Sequence, residues 1–131
     1  MEKEFVPYEI ALELKQLGFD EPCFATYNDK GELRGADLLE FNKLVKQPFW
    51  SQNEASAPTF SQAFRWFREK KLSDSCICRY QKKDDGGICY YYCIDNDFGV
   101  EETRYFQEGL YSYEEAELAC LQKLIEIVKT K

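Results

Sequence analysis

The chain has 131 residues, of which 44% are hydrophobic and 16% are aromatic, and its formal net charge is −7. This length fits one domain, and the aromatic content excludes a disordered chain because such rings supply large apolar surfaces for a core. The acidic balance argues against non-specific binding to phosphate backbones or to anionic lipid, so we expect no membrane partner.

The first residues also bear on location. Glu2, Lys3 and Glu4 are charged, and no apolar run follows them. A secretory signal needs such a run, and a membrane helix needs about 18 apolar residues, which no stretch provides. We therefore expect a cytoplasmic protein. Thiols are reduced in that compartment, so the six cysteines are expected to be free.

An amphipathic pattern predicts the first helix over residues 7–17. Ile10 and Leu14 lie one turn apart, which places them on one buried face. Gly18 follows as a C-terminal cap.

A hairpin is predicted next, over residues 23–35. Strand-like residues flank the turn-forming stretch 28–31. Residues 36–46 are ambiguous but allow a helix, and we interpret residues 49–58 as a loop.

Residues 59–72 predict a second helix. Thr59 and Gln62 have the spacing of a capping box. The apolar stripe of this helix consists of Phe60, Ala63, Phe64 and Phe67.

Two strands, residues 75–80 and 88–94, follow as a hairpin around Asp85-Gly86. A two- or four-residue loop pairs Lys83 with Ile88. In that register one face carries Cys76, Cys78, Tyr80, Cys89, Tyr91 and Cys93. The other face carries Ile77, Arg79, Gln81, Tyr90, Tyr92 and Ile94.

The C-terminal part predicts a third strand over residues 103–107 and a helix over 113–129. Ser112 and Glu115 have the spacing of a second capping box. We expect this helix to cover the sheet.

Together these elements predict an α+β fold in a single domain, residues 1–131. Its core, residues 57–131, is a three-stranded antiparallel sheet (about 75–107) packed by helices 59–72 and 113–129. Residues 1–56 add an N-terminal helix, hairpin and loop.

The chain contains no histidine. This absence removes Ser-His-Asp and Cys-His catalysis and His-ligated metals. Neither glycine-rich nucleotide-binding pattern is present. We therefore expect a protein that is not an enzyme and that needs no cofactor.

The cysteines of the hairpin allow three interpretations. Core packing against a helix is preferred, because free cysteine behaves as a small hydrophobic residue. A disulfide such as Cys78 to Cys93 is one alternative. The other is a four-thiolate zinc site formed by Cys76, Cys78, Cys89 and Cys93.

Tyr90 and Tyr92 lie on the opposite face of the same strand. We expect the N-terminal half of the chain to cover them. If it does not, their rings form an exposed patch of the kind that binds partners.

Charge is unevenly distributed along the chain. The net charge is −5 over residues 1–58, +5 over 59–83, −9 over 84–118 and +2 over 119–131. The basic segment 59–83 either pairs with its acidic flanks or forms a patch for an acidic partner. Its candidate contact residues are Arg65, Trp66, Arg68, Lys70, Lys71, Lys82 and Lys83.

Four stretches, residues 5–9, 18–23, 57–70 and 113–121, resemble a family of small uncharacterised proteins encoded by phages and mobile elements of Bacteroides-type bacteria. The resemblance covers most of the chain except about residues 32–56. It implies a location in the host cytoplasm and brings no activity or functional residues.

The order helix, three strands, helix over residues 59–131 is also similar to the double-stranded-RNA-binding domain. Such domains contact phosphates through a lysine-rich start to their last helix. The corresponding residues here, 113–117, contain three acids instead.

We therefore expect a non-enzymatic accessory protein of a phage or mobile element that acts by protein–protein interaction. The alternative is nucleic-acid binding through residues 59–83. Arg65, Arg68, Lys70, Lys71, Lys82 and Lys83 would then contact phosphates, and Trp66 would stack on a base.

Overall fold

The computed structural model describes residues 4–34, 53–70, 73–96, 104–110 and 112–129. Three helices and two three-stranded antiparallel sheets confirm the α+β class. The elements in chain order are α1 (Tyr8–Gln16), β1 (Ala25–Tyr27), β2 (Leu33–Arg34), β3 (Ala55–Ala57), α2 (Phe60–Lys70), β4 (Ser73–Gln81), β5 (Ile88–Asn96), β6 (Arg104–Leu110) and α3 (Tyr113–Lys129).

The chain divides into two compact units, Met1–Ala63 and Phe64–Lys131, and the boundary lies inside α2. The single domain expected from the sequence stays a prediction, and so does the likeness to the double-stranded-RNA-binding domain. The ambiguous residues 36–46 and the candidate contact residue Lys71 lie outside the described residues.

The first unit contains a sheet in the order β2-β1-β3. The hairpin predicted over residues 23–35 is confirmed, since β1 pairs antiparallel with β2. The loop predicted over residues 49–58 is wrong in part, because β3 pairs antiparallel with β1 and is buried at all three positions. Its Ala-Ser-Ala sequence has little intrinsic preference for a strand, so pairing and burial determine its conformation.

The turn between β1 and β2 is held by Asn28. Its side-chain Oδ1 accepts hydrogen bonds from the backbone N–H groups of Lys30 and Glu32, both at 2.9 Å. Gly31 has a φ of +79°, and a Cβ there would lie 3.0 Å from the Tyr8 ring. Glycine at this position therefore satisfies both the turn and the close approach of Tyr8.

Helix α1 packs against β3 and buries Ile10, Ala11 and Leu14, as the sequence predicts. It ends at Gly18, which has a φ of +100° and donates its N–H to the Lys15 carbonyl at 3.1 Å. The bond from the Phe19 N–H to the Leu14 carbonyl at 3.0 Å completes a Schellman cap.

Helix α2 begins after Thr59, whose Oγ1 accepts the Gln62 N–H at 3.1 Å. This is one half of the predicted capping box. The Gln62 side chain instead donates from Nε2 to the Pro22 carbonyl at 2.8 Å. It links α2 to a segment 40 residues earlier in the chain.

The second sheet has the order β4-β5-β6. Its register pairs Gln81 with Ile88, so the predicted pairing of Lys83 with Ile88 is wrong by two residues. The turn is centred one residue earlier than predicted, because Lys82 closes it by donating its N–H to the Gly87 carbonyl at 2.8 Å and accepting the Gly86 N–H at 3.2 Å. A shift of two residues leaves every side chain on its predicted face.

Strand β6 contains a bulge beside β5. Tyr90 pairs with Leu110 and Tyr92 with Gln107, so two residues of β6 stand opposite one residue of β5. Gly109, one of the two, has a φ of +83°, which is typical of a bulge that uses glycine in the left-handed region.

Helix α3 packs on the second sheet, against β5, β4 and β6. Ser112 caps its start by accepting the Glu115 N–H at 3.0 Å, which is the predicted cap. Its buried residues are Ala116, Cys120, Leu121, Leu124, Ile125 and Ile127. Among the described segments, no helix is both long enough and apolar enough to cross a membrane.

Candidate functional site

Two faces of the second sheet have different surroundings. Helix α3 covers the face that carries Tyr90, Tyr92 and Ile94. The Tyr90 and Tyr113 rings lie 6.2 Å apart, and Tyr92 and Ile94 are 4% and 0% exposed. The expected cover from the N-terminal half is therefore wrong for Tyr92, because a helix from the C-terminal end buries it.

The opposite face is the more open one. We define the cysteine–tyrosine face as Cys76, Cys78, Tyr80, Cys89, Tyr91 and Cys93. Cys76 is exposed, and Cys78, Tyr80, Tyr91 and Cys93 are half-buried, whereas Cys89 is buried. The preferred interpretation, that these cysteines pack against a helix, is wrong except for the burial of Cys89. Helix α3 packs instead where Tyr92 and Ile94 offer more apolar area to bury.

Register determines which residues of this face meet. Cys76 lies directly opposite Cys93, Cys78 opposite Tyr91, and Tyr80 opposite Cys89. The sulfur atoms of Cys76 and Cys93 are 3.2 Å apart, so one thiol donates a hydrogen bond to the other. The predicted alternative of a Cys78–Cys93 disulfide is wrong, because that pair is diagonal and diagonal Cα atoms lie about 7–8 Å apart.

The two tyrosines of the face form its other half. Their ring centroids are 5.8 Å apart at an interplanar angle of 56°. The Tyr80 hydroxyl accepts the N–H of Gly109 at 3.0 Å, so the side chain of a β4 residue reaches the bulge in β6. This bond holds the Tyr80 ring across the face.

Hydrogen bonds also connect thiols to a phenol. Partial desolvation of its sulfur atom and the neighbouring thiols of Cys93 and Cys78 raise the pKa of Cys76 to about 12, although the residue as a whole is exposed. A hydrogen bond to Cys78 is the main cause that raises the pKa of Tyr91. These contacts form a continuous row of hydrogen-bonding side chains. Its members, in order, are Cys93, Cys76, Cys78 and Tyr91.

A zinc site formed by Cys76, Cys78, Cys89 and Cys93 does not fit this geometry. Cys89 and Cys93 are four residues apart on one strand, about 13 Å. Two sulfurs on one zinc ion, each bound at about 2.3 Å, cannot span that distance. Within the described segments no three His, Cys, Asp or Glu side chains are arranged to hold a metal ion.

The end of the face next to the Cys76–Cys93 pair is acidic. Asp74 lies directly opposite Asp95, and both are exposed. On its other side Asp95 lies opposite Arg104 of β6 in the register, so a basic residue of this chain already occupies the neighbouring strand.

The basic segment places its residues in several environments. Trp66 is 4% exposed, with its ring 5.0 Å from that of Phe67, so it is not available to stack on a base. Arg65, Arg68, Lys70 and Lys83 are exposed, and Lys82 is half-buried. Arg68 and Lys70 are two residues apart on α2 and so point in different directions.

The start of α3 gives no support for phosphate binding either. Glu114 and Glu115 are exposed in its first turn, where a phosphate-binding helix would carry bases. Among the predicted nucleic-acid contacts Trp66 is buried, while Arg65 and Arg68, three residues apart, share one side of α2. Nucleic-acid binding through this segment stays a prediction.

The residues that share the cysteine–tyrosine face are predictable from the sequence, because side chains alternate along each strand. Their cross-strand partners are not, because they depend on where the turn is centred, and the contact between Tyr80 and Gly109 depends on a bulge. The only sequence feature that pointed to this bulge was a glycine late in β6.

Comparison of the chain with family models, with curated proteins and with solved structures finds no match.

Proposed function

We propose that the protein is a non-enzymatic interaction protein whose cysteine–tyrosine face binds a segment of another protein. The observation that carries this proposal is the asymmetry of the second sheet. Helix α3 packs on one face, while the other leaves Cys76 exposed and Cys78, Tyr80, Tyr91 and Cys93 half-exposed.

The chemistry of the face suits a peptide segment. Tyrosine rings offer rigid apolar area together with a hydroxyl, and sulfur atoms are soft and polarizable, so both adapt to varied side chains. Tyrosine is also enriched among the residues that dominate binding energy at interfaces. We expect the partner to place an aromatic or aliphatic side chain against Tyr80 and Tyr91.

Charge complementarity defines the partner further. Asp74 is exposed at the end of the face next to Cys76. A lysine or arginine of the partner beside Asp74 adds a complementary charge and sets the direction of the bound segment. The partner is therefore a protein segment with an apolar centre and a basic residue at one end.

Other features support binding over catalysis. The chain lacks histidine, the commonest acid–base catalyst near neutral pH. The resemblance to phage and mobile-element proteins agrees with an accessory role in a host cell. Asp74 on β4 and Glu114 and Glu115 in the first turn of α3 are exposed acids. Their negative charge disfavours a nucleic acid as partner.

Site-specific photo-crosslinking tests this function. A benzophenone amino acid replaces Tyr91, and in a matched variant it replaces Tyr113, an exposed tyrosine of α3 that lies off the face. After irradiation in the native host, we expect a discrete protein adduct from position 91 and none from position 113. A nucleic-acid adduct, equal adducts from both positions or no adduct at position 91 would contradict the proposal.

A charge variant tests the direction of binding once the adduct is identified. Asp74→Lys places a base where we expect the partner's own base, so the affinity should fall at least about tenfold. Arg68→Glu, a charge change of the same size on α2, should leave the affinity unchanged. An unchanged affinity for Asp74→Lys would remove the acidic end from the interface.

A further inference from the structure

The β4–β5 register brings two cysteines into disulfide-forming geometry. Cys76 and Cys93 are directly opposite in an antiparallel pair. Directly opposite Cα atoms lie about 4.5 or 5.5 Å apart, depending on the hydrogen-bonding type of the pair. Both values fall within the range of about 4.4–6.8 Å that disulfides require.

The two sulfur atoms are also close and accessible. They are 3.2 Å apart as free thiols, so bond formation at about 2.0 Å needs a movement of little more than 1 Å. Cys76 is exposed and Cys93 is half-buried, which allows a small oxidant to reach them.

We propose that Cys76 and Cys93 form a reversible thiol–disulfide site whose oxidant is a hydroperoxide. The first thiolate formed in the pair attacks the peroxide oxygen and becomes a sulfenic acid, and hydroxide leaves. The second sulfur attacks the sulfenic sulfur and forms the S–S bond, and water leaves. Overall, two thiols and one hydrogen peroxide give one disulfide and two water molecules.

Register and access support selectivity for this pair, because only Cys76 and Cys93 combine directly opposite positions with sulfur atoms 3.2 Å apart. The remaining cysteines do not compete equally. Cys23, Cys89 and Cys120 are buried, and Cys78 is diagonal to Cys93.

Oxidation of the full-length protein by hydrogen peroxide tests this site. The reduced protein is treated, the remaining thiols are alkylated in denaturant, and the intact mass and fragmented peptides are measured. We expect a loss of two of the six thiols, a Cys76–Cys93 link, and recovery of both thiols after dithiothreitol. The Cys76→Ser and Cys93→Ser variants should form the intramolecular disulfide at least about tenfold more slowly.

Cys78→Ser is the matched control, since it makes the same change two residues along the same strand. It should form the link no more slowly than the wild type, because Cys78 raises the pKa of Cys76 but is not a partner in the bond. Circular dichroism checks that each variant is folded. A wild-type protein that stays fully reduced, a link that survives in Cys76→Ser, or a link lost in Cys78→Ser would overturn the proposal. None of these outcomes depends on a protein partner, so this test and the crosslinking test fail separately.

Discussion

At the scale of single residues, burial changes the chemistry of the thiols away from the cysteine–tyrosine face. Cys120 lies between α3 and the second sheet, where Ser75 hydrogen-bonds it, and it is 0% exposed. Burial raises the pKa of Cys120 to about 12, and burial likewise raises the pKa of Cys23 to about 12. These thiols stay protonated near neutral pH, and their burial shields them from reagents, so they act as packing groups.

This burial predicts a pH-dependent stability. Below about pH 9 the Cys120 thiol is protonated in both the folded and the unfolded chain, so its contribution is fully present. Between about pH 9 and 12 the unfolded chain ionises while the folded chain holds its proton, so stability falls as pH rises. Urea unfolding of the wild type should show this fall, and Cys120→Ala should show a shallower one. Equal slopes would contradict the burial of this thiol.

At the scale of elements, the helices depend on local caps, whereas one strand depends on pairing with a residue range far away in the sequence. Thr59 and Ser112 start α2 and α3 through side-chain hydrogen bonds of 3.1 and 3.0 Å. Each cap is a local feature, because its hydrogen bond joins residues three positions apart in the sequence. Strand β3, by contrast, depends on pairing with β1, about 30 residues earlier in the chain.

The cap of α2 gives a direct test. Thr59→Ala removes the acceptor for the Gln62 N–H and should lower the free energy of unfolding by about 1 kcal/mol. Ser61→Ala, an exposed change two residues later, should alter stability by only a few tenths of a kcal/mol, because alanine favours a helix. Denaturant unfolding measures both. A Thr59→Ala protein as stable as the wild type would show that this cap does not define the helix start.

These elements show what can be predicted from the sequence and why. Helices α1, α2 and α3 were predictable because their caps and apolar periods are local. The faces of β4 and β5 were predictable because side chains alternate. The partner of Cys93 was not, since hydrogen bonds of Lys82 centre the turn one residue earlier and so move the register by two residues. Strand β3 was missed because Ala55 and Ala57 have no strand preference of their own.

At the scale of the whole molecule, the charge pattern of the sequence and the chemistry of the exposed surface point to different kinds of partner. The basic segment suggested a phosphate partner, and Arg68, Lys70 and Lys83 are indeed exposed and form no ion pair within the described residues. Trp66, the predicted stacking residue, is buried, however. The open sheet face instead combines thiols, tyrosines and an exposed acid, Asp74. Both proposals, partner binding and the redox site, therefore concern the cysteine–tyrosine face.

The central claim, that this face is open while α3 covers the opposite one, is tested most directly by alkylating the folded protein and locating the modified cysteines by mass spectrometry. Three cysteines should react in the folded state, namely Cys76, Cys78 and Cys93. The other three, Cys23, Cys89 and Cys120, should react only after denaturation. Modification of Cys120 in the folded protein, or protection of Cys76, Cys78 and Cys93, would contradict the account.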